Sequence, residues 1–472
     1  MNRLRILLAA VLGLALVAAV APAASAGGWS PPRPVAGSTS GGDPYFPAAG
    51  NGGYDALHYD LTLDYTPATQ ALSARAIIAA TATTSLSSFS LDLRGLTVSR
   101  VMVNGLPAKY AQAGGELVVT PKLPLLKGLP FLVLVDYGGT TGQPEDNTGA
   151  LYGWVSFPDG AFVGNEPEGA STWYPVNDTP TDKATYTFNV TVPQGTTAVA
   201  NGTLVSQTTR NGRTTSRWLA TDQMASYLSM VATGDYDVTR SRTSSGLPIL
   251  NAVDRDLSPE DKASTAEVLA LQPSMIDFFQ TKFGKYPFSS FGAVVDDDTD
   301  PGYALENQTR PIYAGAPDES TVAHELAHQW FGNKVTLGRW SDIWLNEGFA
   351  TYAEWMWGEH VGTDSPQAGY DYVMSIPATN AFWSIPTADP GAEDLFAATT
   401  YYRGGAFLHA LRLTVGDDAF WKIIRQWAAK PANVPVSTAD LLALSEKVSG
   451  RQLDSLFDSW LYQPTKPAPV VP

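Results

Sequence analysis

The 472-residue chain has no cysteine, which excludes disulfides and a lipid-bearing cysteine. Stability must therefore come from buried core, with help from a metal where one is bound. Histidine is scarce, with five in the whole chain, so two of them close together call for a reason. Basic residues are also few: 30 Lys and Arg against 46 Asp and Glu, a formal charge of -16. That balance argues against nucleic acid and against anionic membrane surfaces as partners, and suits cationic groups such as free amines. Apart from the first 26 residues, no run is long and apolar enough to span a bilayer, so no stable membrane anchor is expected. No internal repeat stands out.

The N-terminal exception begins with Arg3 and Arg5, continues with an apolar run from Ile6 to Ala21, and ends on Ala24-Ser25-Ala26. This is the pattern of a cleavable secretory signal over 1–26, so an exported, extracellular protein is expected. Losing the two arginines leaves the mature chain at -18. Residues 27–45 are rich in Pro, Gly and Ser and read as a flexible or extended leader. A chain this long, with 44% apolar residues, needs at least two domains.

From 46 to 240 the hydrophobic period is two. Tyr59, Leu61, Leu63 and Tyr65 alternate with polar residues, as do Tyr186, Phe188, Val190 and Val192, and turns such as Asn104-Gly105 punctuate the region. An antiparallel β-sandwich-like domain is expected. From 241 to 463 the pattern is helical, with one strand over 291–298. Ser258 and Pro259 open a helical run that Pro273 must kink or interrupt. Further helices are expected near 318–331, 342–359, 402–415, 417–429 and 438–448. The Pro-rich end, 464–472, reads as a disordered tail. The fold class is multidomain α+β.

Two of the five histidines fall in HELAHQW, residues 324–330. On a helix, positions i and i+4 share a face, so His324 and His328 can point at one metal ion. Glu325 sits about 100° round the helix, placed to act on a water without being a ligand. A tetrahedral catalytic zinc takes three protein ligands and one open position. Glu347, in WLNEGFA on the next expected helix, lies after eighteen intervening residues and supplies the third. Two neutral imidazoles and one carboxylate leave a zinc site with a net charge of about +1, a Lewis acid suited to a carbonyl.

HELAHQW with WLNEGFA eighteen residues on resembles the zinc aminopeptidases of the aminopeptidase N family, in the gluzincin group, whose catalytic domain is thermolysin-like. The resemblance runs from about residue 45 and is strongest between 283 and 405. It implies one zinc per chain and peptide substrates with a free α-amine. GYALENQTR (302–310) resembles the family's Gly-x-Met-Glu-Asn segment on an edge strand. Tyr303, Ala304, Leu305, Glu306 and Asn307 are then substrate-binding, with Glu306 gripping the amine. Tyr303 and Leu305 depart from the family pattern and bear on the size of the pocket. Glu166, twelve residues before Asp178, matches a second amine-binding position in the β domain. TTYYRGG resembles Tyr-x-Lys-Gly, which makes Tyr401 rather than Tyr402 the donor to the oxyanion and puts Arg403 in place of the Lys.

The resemblance thus implies a hydrolase with Glu325 as general base and Tyr401 as oxyanion partner, removing the first residue of a peptide. Longer relatives continue into a helical domain over the active site, which this sequence is expected to lack. A zinc endopeptidase would share the ligands without needing Glu166 and Glu306. A non-catalytic binding protein on the same fold would be expected to have lost a ligand or the base. Glu354 either orients a zinc ligand or is a solvent-facing helical acid, and the acidic 296–300 segment reads as a solvated loop. The residues do not set the oligomeric state or the preferred first residue.

Overall fold

The computed structural model describes residues 33–146 and 149–470. The expected signal sequence, 1–26, lies outside the described residues. The alternating segment Tyr54–Thr66 is a strand, and its inward residues Tyr59, Leu61, Leu63 and Tyr65 are all buried. It sits inside an eight-stranded sheet ordered Thr203–Arg210, Arg213–Met224, Ala184–Pro193, Tyr54–Thr66, Ala71–Ala82, Pro130–Thr140, Thr97–Val103 and Leu106–Pro107. Two four-stranded sheets complete the N-terminal half. The antiparallel expectation fails at the sheet centre, where Ala184–Pro193 runs parallel to Tyr54–Thr66 with Phe188 opposite Leu61. Parallel neighbours need a long crossover, and here the intervening strands provide it. Trp154, Trp173 and Trp218 fill the core beneath. Each large apolar side chain buried in this way stabilises by about 1.5–3 kcal/mol.

The second half is built on a five-stranded mixed sheet ordered Tyr236–Arg242, Pro248–Asp254, Phe291–Asp296, Ile312–Ala314 and Ala304–Leu305. Its first strand begins ahead of residue 241. Ala304–Leu305 is the edge strand, antiparallel to Ile312–Ala314. Ser258 accepts the amide of Asp261 and opens helix Pro259–Leu269. Pro273 lies in the first turn of a separate helix, Gln272–Phe283, where a missing N–H costs nothing. Among the described residues, no helix is long and apolar enough to cross a membrane.

Two segments read as loose from their Pro and Gly content are in fact pinned. The described part of the leader lies against the fold: Asp43 caps the amide of Trp340 at 2.8 Å, and the Tyr45 hydroxyl meets Asp389 and accepts the amide of Gly391 at 2.9 Å. At the other end, Lys466 donates to the carbonyls of Met374 (2.6 Å) and Ile376 (2.9 Å). Buried Arg403 donates to the carbonyls of Ser459, Gln463 and Thr465, and to those of Trp383 and Ile385. Composition signals scarce apolar content, and these segments are held by polar contacts, with Tyr45 and Val470 also packed against the core. Between the halves, buried Lys183 donates to the carbonyls of Asn333 (2.7 Å) and Lys334 (3.1 Å), just beyond the HELAH helix.

Candidate metal and substrate site

Asp318 accepts the amide of Thr321 at 2.7 Å and starts a helix that runs Glu319–Ala327. It is shorter than the expected 318–331 because the chain tightens after it. The amides of Gln329 and Trp330 turn back three residues, to Leu326 and Ala327, before Gly332 adopts φ +111°. His328 is the C-cap but keeps helical dihedrals, with its amide on the His324 carbonyl at 3.2 Å. The two imidazoles therefore share a face, their centroids 4.7 Å apart.

Glu347 projects from the first turn of the long helix Trp344–Val361. Its Oε2 lies 3.1 Å from Nε2 of His324 and 3.3 Å from Nε2 of His328. The other ring nitrogens are already committed. Nδ1 of His324 meets the Glu354 carboxylate, and Nδ1 of His328 meets the Phe331 carbonyl at 3.1 Å. An acceptor at each Nδ1 places the proton there and turns both Nε2 lone pairs towards Glu347. One donor atom from each of His324, His328 and Glu347 lies within 4.8 Å of the others. Two imidazoles and a carboxylate, each imidazole oriented by an outer acceptor, fit a catalytic zinc ion. Glu354, two turns beyond Glu347, is thus an orienting partner of a ligand, not a solvent-facing acid.

Three further carboxylates crowd the same space. Glu325 is buried and groups with Glu306 and His328 within 4.8 Å. Glu166, from the N-terminal half, groups with Glu306 and Glu347 within the same limit. One carboxylate oxygen on each of Glu166, Glu306 and Glu325 is buried with no protein partner. Burial raises all three carboxyl groups above their ordinary range, and neighbouring carboxylates, Glu347 among them, add to the rise. Glu347 goes the other way: burial alone would raise it, but His328 and His324 hold it down. Carboxyl groups this close and this buried ionise together only beside cations; the imidazole side suits a metal, and the Glu166–Glu306 side can accept a further cation.

The substrate segment divides. Glu306 and Asn307 are buried at the site, and the Asn307 amide donates to the Val163 carbonyl at 3.2 Å, tying this loop to the strand that leads to Glu166. Ala304 is half-buried on the edge strand. Leu305 is packed into the apolar core instead of the cleft, because neighbours on a strand face opposite sides. The Tyr303 hydroxyl is engaged by the Leu151 carbonyl at 2.6 Å, and its ring lies so close over Gly164 that a side chain there would collide. Tyr401, on a π-helical turn over 399–403, lays its ring against His324 with centroids 6.0 Å apart, while Tyr402 is turned outward. Burial, with Glu347 and the other carboxylates nearby, raises the Tyr401 phenol well above its ordinary value, so it stays a donor.

Sequence reading missed the buried residues Tyr227, Gln329 and Asn333. Tyr227 accepts from the Asn346 amide at 3.5 Å beside Glu347. Gln329 and Asn333 both donate to the Glu306 carbonyl. None has a spacing that would mark it.

Comparison with known proteins matches residues 55–228 to the Peptidase M1 N-terminal domain and 299–460 to the Peptidase family M1 domain. A crystal structure of an M1 zinc metallopeptidase from Deinococcus radiodurans superposes with a TM-score of 0.83 at 31% identity, covering 92% of this chain and 99% of that one. A mutant of the metallopeptidase from that organism, bound to a Tyr-Ser-Ala substrate, gives 0.82 at 30% identity, covering 91% and 99%. Human glutamyl aminopeptidase is 27% identical over 326 residues, 63% of this chain and 33% of the relative. The chain spans less than half the length of the curated relatives it matches.

Proposed function

Because the chain belongs to peptidase family M1, we propose that it is a zinc-dependent aminopeptidase that hydrolyses the first peptide bond of substrates with a free α-amine. The observation that carries this reading is the approach of Glu166 and Glu306 to Glu347 within 4.8 Å. Two carboxylates from different halves of the chain make a cage for an ammonium directly beside a metal ligand. A buried ammonium is costly without such partners, and a blocked N-terminus would leave both carboxylates unpaired. A substrate gripped there presents only its first peptide bond to the metal side.

His324, His328 and Glu347 would hold the zinc, which when bound supplies Lewis acidity towards the carbonyl and lowers the pKa of water. Glu325 removes a proton from the attacking water as the new C–O bond forms. The Tyr401 hydroxyl donates to the oxygen that gains charge in this step. When the C–N bond breaks, Glu325 returns its proton to the leaving amine. On the charge and small-residue pattern of residues 1–26, this reading places the enzyme outside the cell. N-terminal sequencing of exported protein, expected to begin at Gly27, checks that.

The test is hydrolysis of leucine arylamide and its N-acetylated form, with and without chelator. Cleavage of the free-amine compound alone, lost on chelation and restored by zinc, is expected. Equal cleavage of both would overturn the amine cage and favour an endopeptidase.

A further inference from the structure

Glu306 can grip an amine at a fixed distance from the metal only if its loop is tied to the helix that carries the histidines. The edge strand that delivers it is two residues long and pairs on one side only. Such a strand fixes its own position weakly. We propose that Gln329 is the positioning residue that sets the distance between the amine anchor and the metal ligands. The inference rests on the reading of Glu306 as that anchor.

Gln329 follows His328 directly and is fully buried. Its amide nitrogen donates to the Glu306 carbonyl at 3.1 Å and to the Glu325 carbonyl of the motif helix at 3.3 Å. Its amide oxygen accepts the backbone N–H of Thr309 at 2.8 Å. One side chain thus grips both ends of the 306–309 turn and the motif helix together.

The turn needs a grip. Thr309 sits at φ +66°, a left-handed conformation that a β-branched residue resists. Strain of this kind persists only where the surroundings over-determine it, and it gathers at functional sites. Two contacts hold Thr309: Gln329 takes its amide, and its hydroxyl accepts the Gly202 amide at 2.8 Å. Asn333 adds a second donor to the Glu306 carbonyl at 2.7 Å. Both donors come from the turn just after His328, so the anchor's backbone is referenced to the histidines. Both ends of the Gln329 amide are committed to backbone groups, so it acts through Glu306.

The test compares the wild-type protein with Gln329→Met, both zinc-loaded. Calorimetry with L-leucine and N-acetyl-leucine is run beside KM for leucine arylamide. The wild type should bind L-leucine and discriminate against the acetylated form. Gln329→Met removes three buried hydrogen bonds while keeping length and bulk. L-leucine affinity should fall about tenfold or more, with a matching rise in KM, and zinc content should stay at one per chain. Discrimination should shrink by the same factor, an effect that general loosening of the fold would not single out. Should Gln329→Met fail to fold, Gln329→Asn, which keeps the amide but shortens its reach to Glu306 and Thr309, decides with an expected loss of severalfold. A folded, zinc-loaded variant that keeps wild-type discrimination would overturn the positioning role and leave the amine cage standing. A wild type that does not discriminate would overturn both.

Discussion

Glu354→Gln is the substitution whose effect on metal binding follows most directly from the geometry. The Glu354 carboxylate meets Nδ1 of His324, while the other imidazole leans on a backbone carbonyl that mutation cannot remove. Losing an outer partner of a metal-binding histidine costs about 10–100-fold in affinity. The Glu354 side chain is 24% exposed, so water can replace part of what it provides. Glutamine also keeps an acceptor oxygen of the same reach and loses only the charge. Both considerations place Glu354→Gln near the low end, about tenfold weaker zinc binding, or about 1.4 kcal/mol. Glu354→Ala, which also leaves Nδ1 without a protein acceptor, should lie towards the hundredfold end. Competition against a chelating dye at fixed pH measures both. With zinc in excess, hydrolysis by Glu354→Gln should return close to the parent rate, since the side chain acts on the ligand and not on the substrate. If both variants hold zinc as tightly as the parent, the assignment of Glu354 as orienting partner is refuted.

Glu306→Gln should lower kcat/KM on free-amine substrates by at least about a hundredfold, from the ~3 kcal/mol lower bound for breaking a buried charge pair. Any residual hydrolysis of the acetylated substrate should be unchanged; an equal loss on both would assign Glu306 a structural role. Tyr401→Phe should lower kcat by about 10²–10³-fold with KM little altered, read by steady-state kinetics. Burial pushes Lys183 from 10.5 down to about 7. Between those values the folded chain binds fewer protons at this site than the unfolded one, so its contribution to stability rises with pH; below about 7 the cost is constant. Urea unfolding at pH 7 and pH 9 should therefore show the parent gaining about 2 kcal/mol relative to Lys183→Met, and equal pH slopes would show Lys183 to be ordinarily basic in the fold.

What the sequence revealed of the site was what helical geometry fixes locally. His324, Glu325 and His328 share one short helix, so their spacing already encodes their arrangement. Glu347 stood out because it lies at the start of the next helix. The meeting of Glu166 and Glu306 is a different matter. They lie 140 residues apart, just after strands of separate sheets, and only resemblance to a family could join them. The choice between Tyr401 and Tyr402 rested on a one-residue register. In the fold the two rings diverge, one against His324 and the other towards solvent. Glu354 was ambiguous because a position seven residues from a ligand can face the site or not, depending on how the helix packs. Gln329 and Asn333 were silent because their role is to hold a backbone carbonyl, which imposes no pattern along the chain.

The fold shows the same division. Period-two alternation marked strands such as Tyr54–Thr66 and their buried faces, but not which strands pair, so the parallel contact with Ala184–Pro193 was not readable. Proline and glycine content pointed to loose ends. Asp43, Arg403 and Lys466 fasten those ends through polar contacts of individual side chains that composition does not register.

The central claim is that two carboxylates from opposite halves of the chain hold a free amine beside the metal. The most direct test is mass spectrometry of a ten-residue peptide and its N-acetylated twin, each incubated with zinc-loaded protein. A ladder shortened one residue at a time from the N-terminus of the free peptide is expected, with the acetylated twin intact. Internal fragments, or shortening of the acetylated peptide at a similar rate, would contradict it.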